Sequence, residues 1–376
     1  MKNKGRKALA AFISNVALGV LMGISMFAIG ASMLLAVMQS EPWHLFVIFP
    51  AVLLEYFIFT AAHEAGHLIF GLISGYGFCS YRIGSLMWIK LPDGIKLRRM
   101  SIAGTGGQCL MTPPEAKDGK IPVFLYNFGG VLVNLIIAFM LFGLYIPVKN
   151  MPILPYVFIM GAEFSLIMAI FNGIPIKIGG IADDGMNALS LRKDIHANDA
   201  FRKQLLINGE QTRGIRLSDM PVEWFRMPEN TDMKNPICAS IPVFYCNRLI
   251  DSENFDEAEK SILNLINGDN GLIGMYRSML ISDLIYCLLL KGENDRAAKY
   301  YTKDQRAFMN SLRSIPSILR TEYALAICGI DDARNAEKIK KNFEKIAKKY
   351  PYQTDIELDE KLISLIEVKM KNQTIN

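Results

Sequence analysis

Phe57–Ser74 reads FIFTAAHEAGHLIFGLIS, an apolar run that carries two histidines and a glutamate within little more than one helical turn. His63 and His67 are four residues apart, so on a helix advancing about 100° per residue they lie about 40° apart on one face, where both imidazoles can hold one metal ion. Glu64 follows His63 directly and lies about 60° round from His67. From there its carboxylate can reach a water on that ion without ligating it, the H-E-x-x-H arrangement of zinc hydrolases. The competing explanation is a chance meeting of two core histidines and a carboxylate. Against it, the chain has only 4 His, and three polar groups on one turn of a membrane-length apolar run are costly without a partner.

Outward from this stretch the chain divides by hydropathy. Of its 376 residues 51% are hydrophobic, and the excess lies in the first half. Four apolar runs, near 8–38, 45–74, 121–148 and 152–176, are each long enough to cross a bilayer. The first follows Lys2, Lys4, Arg6 and Lys7 and exceeds the apolar region of a signal peptide, so a retained anchor is expected. Gln39–His44 is a short polar link, with Trp43 placed as an interfacial aromatic and His44 expected to be exposed beside it. Glu55 is a further carboxylate within a span, placed either to orient His63 or to face a polar cavity.

Gly75–Lys120 is polar and basic. Within it Tyr81–Leu97 reads as strand, a Pro92-Asp93-Gly94 turn, and strand, giving a small membrane-associated β-hairpin that either caps the helix ends or offers an edge to an extended peptide. From Leu189 the chain turns charged. Residues 191–235, with Pro221 and Pro228, are expected to form a linker, irregular from Phe201 onward, and 236–376 a cytosolic helical domain. The phrases FDEAEK at Phe255, NDRAAKY at Asn294 and DDARNAEK at Asp331 resemble degenerate tetratricopeptide-type hairpins at unequal spacing; an ordinary helical bundle is the alternative. Such a domain implies a protein partner. The expected fold class is therefore mainly α, with domains 1–190 and 236–376 joined by the linker.

A net charge of +5 with dispersed basic residues points away from nucleic acid. The 6 Cys show no C-x-x-C spacing and are expected to be free thiols.

A catalytic zinc normally has three protein ligands and one open position, so the two histidines need a partner. Available are His196, Glu163 within the fourth run, and Asp183 or Asp184, in the stretch Phe171–Asn187 where that run breaks into Pro and Gly. Here the chain resembles the site-2 protease family of intramembrane metalloproteases. The motifs that carry the resemblance are HEAGH at His63–His67, GGVLVN at Gly129–Asn134, and Asn172-x-x-Pro175 followed by Asp184-Gly185. It covers about Leu45–Asn187. It implies one Zn2+ ion held by His63, His67 and Asp184, with Glu64 as general base and a membrane-anchored protein or peptide as substrate in the lipid bilayer. Two departures stand out: the Pro175–Asp184 interval is longer than the family pattern, and Asp183 replaces an apolar residue. No PDZ domain is inserted. Gly179 and Gly180 are expected to let the chain fold back so that Asp184 reaches the ion. Asn172 is a candidate to hydrogen-bond substrate backbone or a developing oxyanion, as is Asn134, for which helix packing is equally expected; Gly129 and Gly130 suit close helix approach.

Basic residues precede the first run, fill the Gly75–Lys120 loop and follow the fourth run, while the two short links are nearly bare. The positive-inside bias then places both termini in the cytosol of a multi-pass protein, expected in a bacterial cell membrane. Reporter fusions at Lys117 and at the C-terminus should report inside and one near Glu41 outside; an external C-terminus would overturn this orientation.

Overall fold

The computed structural model describes the backbone of residues 2–101, 105–178 and 181–375 and, within these, the side chains other than those of 2–15, 17, 18, 178, 181 and 373–375. Gly179 and Gly180, the expected fold-back point, lie outside the described residues. The chain forms two compact units, one of Met1–Ser74, Pro122–Ile178 and Ala182–Ser190, the other of Gly75–Ile121, Gly179–Ile181 and Leu191–Asn376.

The first unit is built on α1 (Lys2–Gln39), α2 (Pro42–Ile73), α3 (Phe124–Val148) and α4 (Leu154–Gly173). Over Gly19–Gln39, Pro42–Ile73, Phe124–Val148 and Leu154–Gly173 these are long and apolar enough to cross a membrane. Pro42 and Pro155 open α2 and α4 at positions where a missing N–H costs nothing. His44 is buried rather than exposed: its Nδ1 accepts the Glu41 N–H at 3.2 Å, closing a reciprocal cap with the Glu41 side chain. The usual inside and outside are reversed in this unit. Phe46 is 82% and Phe139 69% exposed, while Ser32, His63, Glu64, His67, Asn134 and Ser165 are buried.

Glycines set how closely α2 and α3 pack. A Cβ at Gly66 would fall 2.4 Å from the Gly129 carbonyl oxygen, and one at Gly129 would fall 2.5 Å from that of Gly66. Only a pair without side chains allows this backbone-on-backbone crossing. Beyond α4 the chain cannot stay helical, because Pro175 lacks a donor and pushes Ile174 into an extended conformation. After the short strands Lys177–Ile178 and Ile181–Ala182 it resumes as α5 (Asp184–Lys193).

In the second unit β1 (Gly77–Ile83), β2 (Leu86–Leu91), β3 (Gly94–Arg99) and β4 (Gly107–Thr112) make an antiparallel sheet of order β3-β2-β1-β4. The expected hairpin is thus part of a four-stranded sheet. The Pro92-Asp93 turn joins β2 to β3, pairing Leu91 with Gly94, whereas Tyr81 lies one strand earlier, opposite Trp88. Arg82 is buried, and its guanidinium donates to the carbonyls of Gly84 and Gly107 at 2.6 and 3.1 Å, tying the β1–β2 turn to the start of β4.

The sheet packs on α6 (Ile195–Thr212), where Gly209 brings the helix against Thr112 and Cys79. This packing places 75–121 with the C-terminal helices rather than in a 1–190 domain. It also corrects the expected linker. Asp194 caps α6, and the Asn198 side chain bonds both the N–H and the carbonyl of Ile121 at 2.9 and 3.1 Å. The following 3-10 turns bury Leu217, Met220 and Phe225, and Arg216 and Ser218 are fastened to Asp251. The prolines mark short turns, and the apolar residues on either side of Pro221 fill a core.

The remaining helices are α7 (Pro236–Asp251), α8 (Phe255–Asn267), α9 (Gly274–Lys291), α10 (Asn294–Tyr300), α11 (Lys303–Ser311), α12 (Pro316–Ile327), α13 (Ala336–Ala347) and α14 (Gln353–Ile375). They surround α9, whose run from Leu284 to Leu289 is fully buried, so α9 has no polar stripe. Of the three similar phrases, the first opens α8, the second forms α10, and the third spans a 3-10 turn and the start of α13. All six cysteines are free thiols.

Gly129→Val should lower the unfolding midpoint of the detergent-solubilised chain, at a cost of about 1–3 kcal/mol or more, because the Gly66 carbonyl cannot yield. Gly143, whose Cβ would meet nothing within 4 Å, is the control: Gly143→Ala should leave the midpoint unchanged or raise it by up to about 1 kcal/mol. Equal effects at the two positions would refute the tight crossing.

Candidate metal centre

The α2/α3 crossing and the break after α4 bring three donors together. His63 Nε2 lies 3.1 Å from Asp184 Oδ2 and 3.2 Å from His67 Nε2, and His67 Nε2 lies 3.4 Å from Asp184 Oδ2. Among the described residues this is the one group of His, Cys, Asp or Glu side chains whose ligand atoms converge on a common point. Zinc bonds of about 2.0–2.1 Å directed to tetrahedral corners set neighbouring donors about 3.3–3.4 Å apart. The observed triangle has that size, so the donor set fits a zinc ion.

His67 Nδ1–H donates to the Tyr126 carbonyl at 2.7 Å, which fixes the tautomer and turns the Nε2 lone pair toward the triangle. The His63 ring lies beneath Gly130, where a Cβ would fall 2.6 Å from Nε2. Its Nδ1 has no hydrogen-bond partner among the described residues. Glu55 does not orient it: that carboxylate lies against Gly161 of α4, whose added Cβ would fall 2.5 Å from Oε1.

The adjacent aspartates divide two tasks. Asp183 accepts the Ile176 N–H at 3.0 Å and the Met186 N–H at 2.7 Å, and its own N–H donates to the Ile176 carbonyl. Its carboxylate thus serves as a backbone clasp and start signal for α5, and burial pushes it up to about 6. Asp184, the next residue, projects to the histidines. Burial alone would raise its carboxyl, but the facing His67 and His63 rings outweigh this and hold it well below the usual carboxylate range. Gly185 makes the turn fit, since a Cβ there would fall 2.1 Å from the Gly173 carbonyl oxygen.

Glu64 is buried on the same turn as the histidines and outside the donor triangle. Glu163 also lies outside it and accepts a 2.8 Å hydrogen bond from Ser32. His196 is a half-buried residue of α6. The Asn172 amide donates to the Met168 carbonyl one turn back, at 2.8 Å. Asn134 is 0% exposed and neither polar atom of its side chain has a hydrogen-bond partner among the described residues, while its carbonyl accepts from Ser165. Sequence reasoning missed two contributions: the Tyr126 carbonyl, a backbone group with no side-chain signature, and the clasp made by Asp183, for which the N-cap preference of Asp was an available signal.

Searches against family models, curated proteins and solved structures find no match for this chain.

Proposed function

We propose that this chain is an intramembrane zinc metalloprotease that hydrolyses peptide bonds of membrane-anchored proteins or peptides near the cytosolic face. The observation that supports it most is the tetrahedron-sized triangle of His63, His67 and Asp184 with Glu64 buried beside it in an apolar helical bundle. When bound, a zinc ion supplies a Lewis acid and brings the pKa of its water to near 7.

The chain's own residues do the rest. His63 and His67 present neutral Nε2 lone pairs, and Asp184 adds the negative charge that partly balances a dication in an apolar setting. Glu64 takes the proton of the attacking water on its carboxylate and delivers it to the leaving amide nitrogen. The substrate's peptide bonds are hidden in its own helical hydrogen bonds, so it must unwind locally. Asn172, at the end of α4, is assigned to meet the backbone so released. Four crossings would return the C-terminus to the side of the N-terminus, and the basic flanks make that side cytosolic. The helices from α7 onward, in this reading, form a tetratricopeptide-like partner-binding region.

Zinc stoichiometry of purified variants tests the ligand set. Asp184→Asn should lose most of the metal, Asp183→Asn should keep more of it, and Glu163→Gln should match the wild type. Metal loss confined to Glu163→Gln would move the protein to a glutamate-ligand class.

Glu64→Gln tests the chemistry separately: it should retain zinc yet cleave a transmembrane peptide substrate about 10²–10⁴-fold more slowly. Wild-type cleavage by Glu64→Gln would end the protease reading even with the metal in place.

A further inference from the structure

The second unit contains a cavity of about 270 Å3 bounded by α6, α7, α9, α12 and α14. Its charged lining residues are Asp283, Asp355, Asp359 and Arg320, three potential anions against one cation. Arg320 is buried and already engaged: it donates to Asp359 Oδ1 at 2.9 Å and to Asp283 Oδ1 at 2.5 Å, with its Cζ 4.6 Å from the centre of the Tyr286 ring. Asp355 has no such partner. Among the described residues its one hydrogen bond is a 3.5 Å contact from Gln211 Nε2, and burial raises its carboxyl to about 7. A carboxylate taken out of water without a counter-charge is costly, and a cation entering the cavity would relieve that cost.

A second feature of the same wall also asks for a ligand. Arg320 Nε–H has no hydrogen-bond partner among the described residues, although the residue is only 2% exposed. A buried guanidinium donor left unmatched calls for an acceptor. Phe244, Tyr276 and Tyr350 add aromatic surface to the lining, a setting that favours organic cations. A divalent metal fits poorly. It needs several oxygens converging on one point, and the three aspartates do not form such a group among the described residues. The volume lies just below the roughly 300–1,000 Å3 of drug-sized ligand sites, which suits one side-chain-sized group.

We infer that this cavity is a binding site for an organic cation of ammonium or guanidinium type carrying a neighbouring acceptor, with Asp355 as its counter-ion and Arg320 Nε–H as the donor to the acceptor. A basic side chain of a peptide and a free small amine share this chemistry.

Calorimetric titration of the full chain in detergent tests it, with N-acetyl-arginine amide, the isosteric neutral N-acetyl-citrulline amide, and ethanolamine, an ammonium beside a hydroxyl acceptor, as probes. The blocked arginine should bind saturably and the citrulline compound about tenfold more weakly or worse. Asp355→Asn should lose binding to a similar degree while unfolding at no lower temperature than the wild type, since it removes a half-buried carboxylate that has no counter-charge. Asp269→Asn, at a carboxylate on the surface, should bind as the wild type does. Tighter binding of ethanolamine than of blocked arginine assigns the site to a free amine, and the reverse order to a peptide side chain. Equal affinity for arginine and citrulline compounds, unchanged binding by a folded Asp355→Asn, or no saturable binding of any cationic probe would overturn the inference. The arginine and citrulline comparison uses the wild-type chain, so it decides the matter even if the variant fails to fold.

Discussion

Close approach of two helix backbones, Gly66 on α2 against Gly129 on α3, is the constraint on which the cluster of His63, His67 and Asp184 depends. The next residue, Gly130, then lies over the His63 ring, and Tyr126, one turn earlier, has its carbonyl within 2.7 Å of His67 Nδ1. Any side chain at the crossing would push α3 outward and take both supports with it. One packing decision therefore positions two imidazoles.

The third donor comes from the opposite kind of backbone. A regular helix holds its side chains at fixed angles, and α4 ends before it supplies a ligand. Pro175 ends the helical hydrogen bonding, Asp183 re-anchors the chain through the N–H groups of Ile176 and Met186, and Gly185 lets the new helix start against the Gly173 carbonyl. Asp184 is thus aimed by its neighbours on both sides. The same stretch shows why two consecutive aspartates are not interchangeable: one is spent on backbone donors, which leaves the other for the histidines.

In the second unit burial acts through charge. Arg320 is held between Asp283 and Asp359 and gathers α9, α12 and α14 around one guanidinium. Removing either carboxylate would leave a buried charge short of its partner, which costs more than the pair itself stabilises. Asp355 stands outside this arrangement, and so the cavity beside it has an electrostatic preference instead of being a packing defect.

Much of this was legible in the sequence, for identifiable reasons. Apolar runs of bilayer length need no tertiary information to read as long helices, and His63, Glu64 and His67 share a face by helical geometry alone. The Pro92-Asp93-Gly94 turn was visible because turn chemistry is local. What needed long-range contact was not visible. The sheet gained β1 and β4 through pairing across loops, the supposed linker became core because its own α6 and 3-10 turns pack on α7, and His44 was turned into a cap by Glu41. Nor does sequence show a carbonyl acceptor such as that of Tyr126, or which of Asp183 and Asp184 faces the histidines. Local pattern determined the elements and the histidine pair; packing between distant segments decided the third donor, the support behind His67 and the charge imbalance at Asp355, because each depends on distances between residues far apart in the chain.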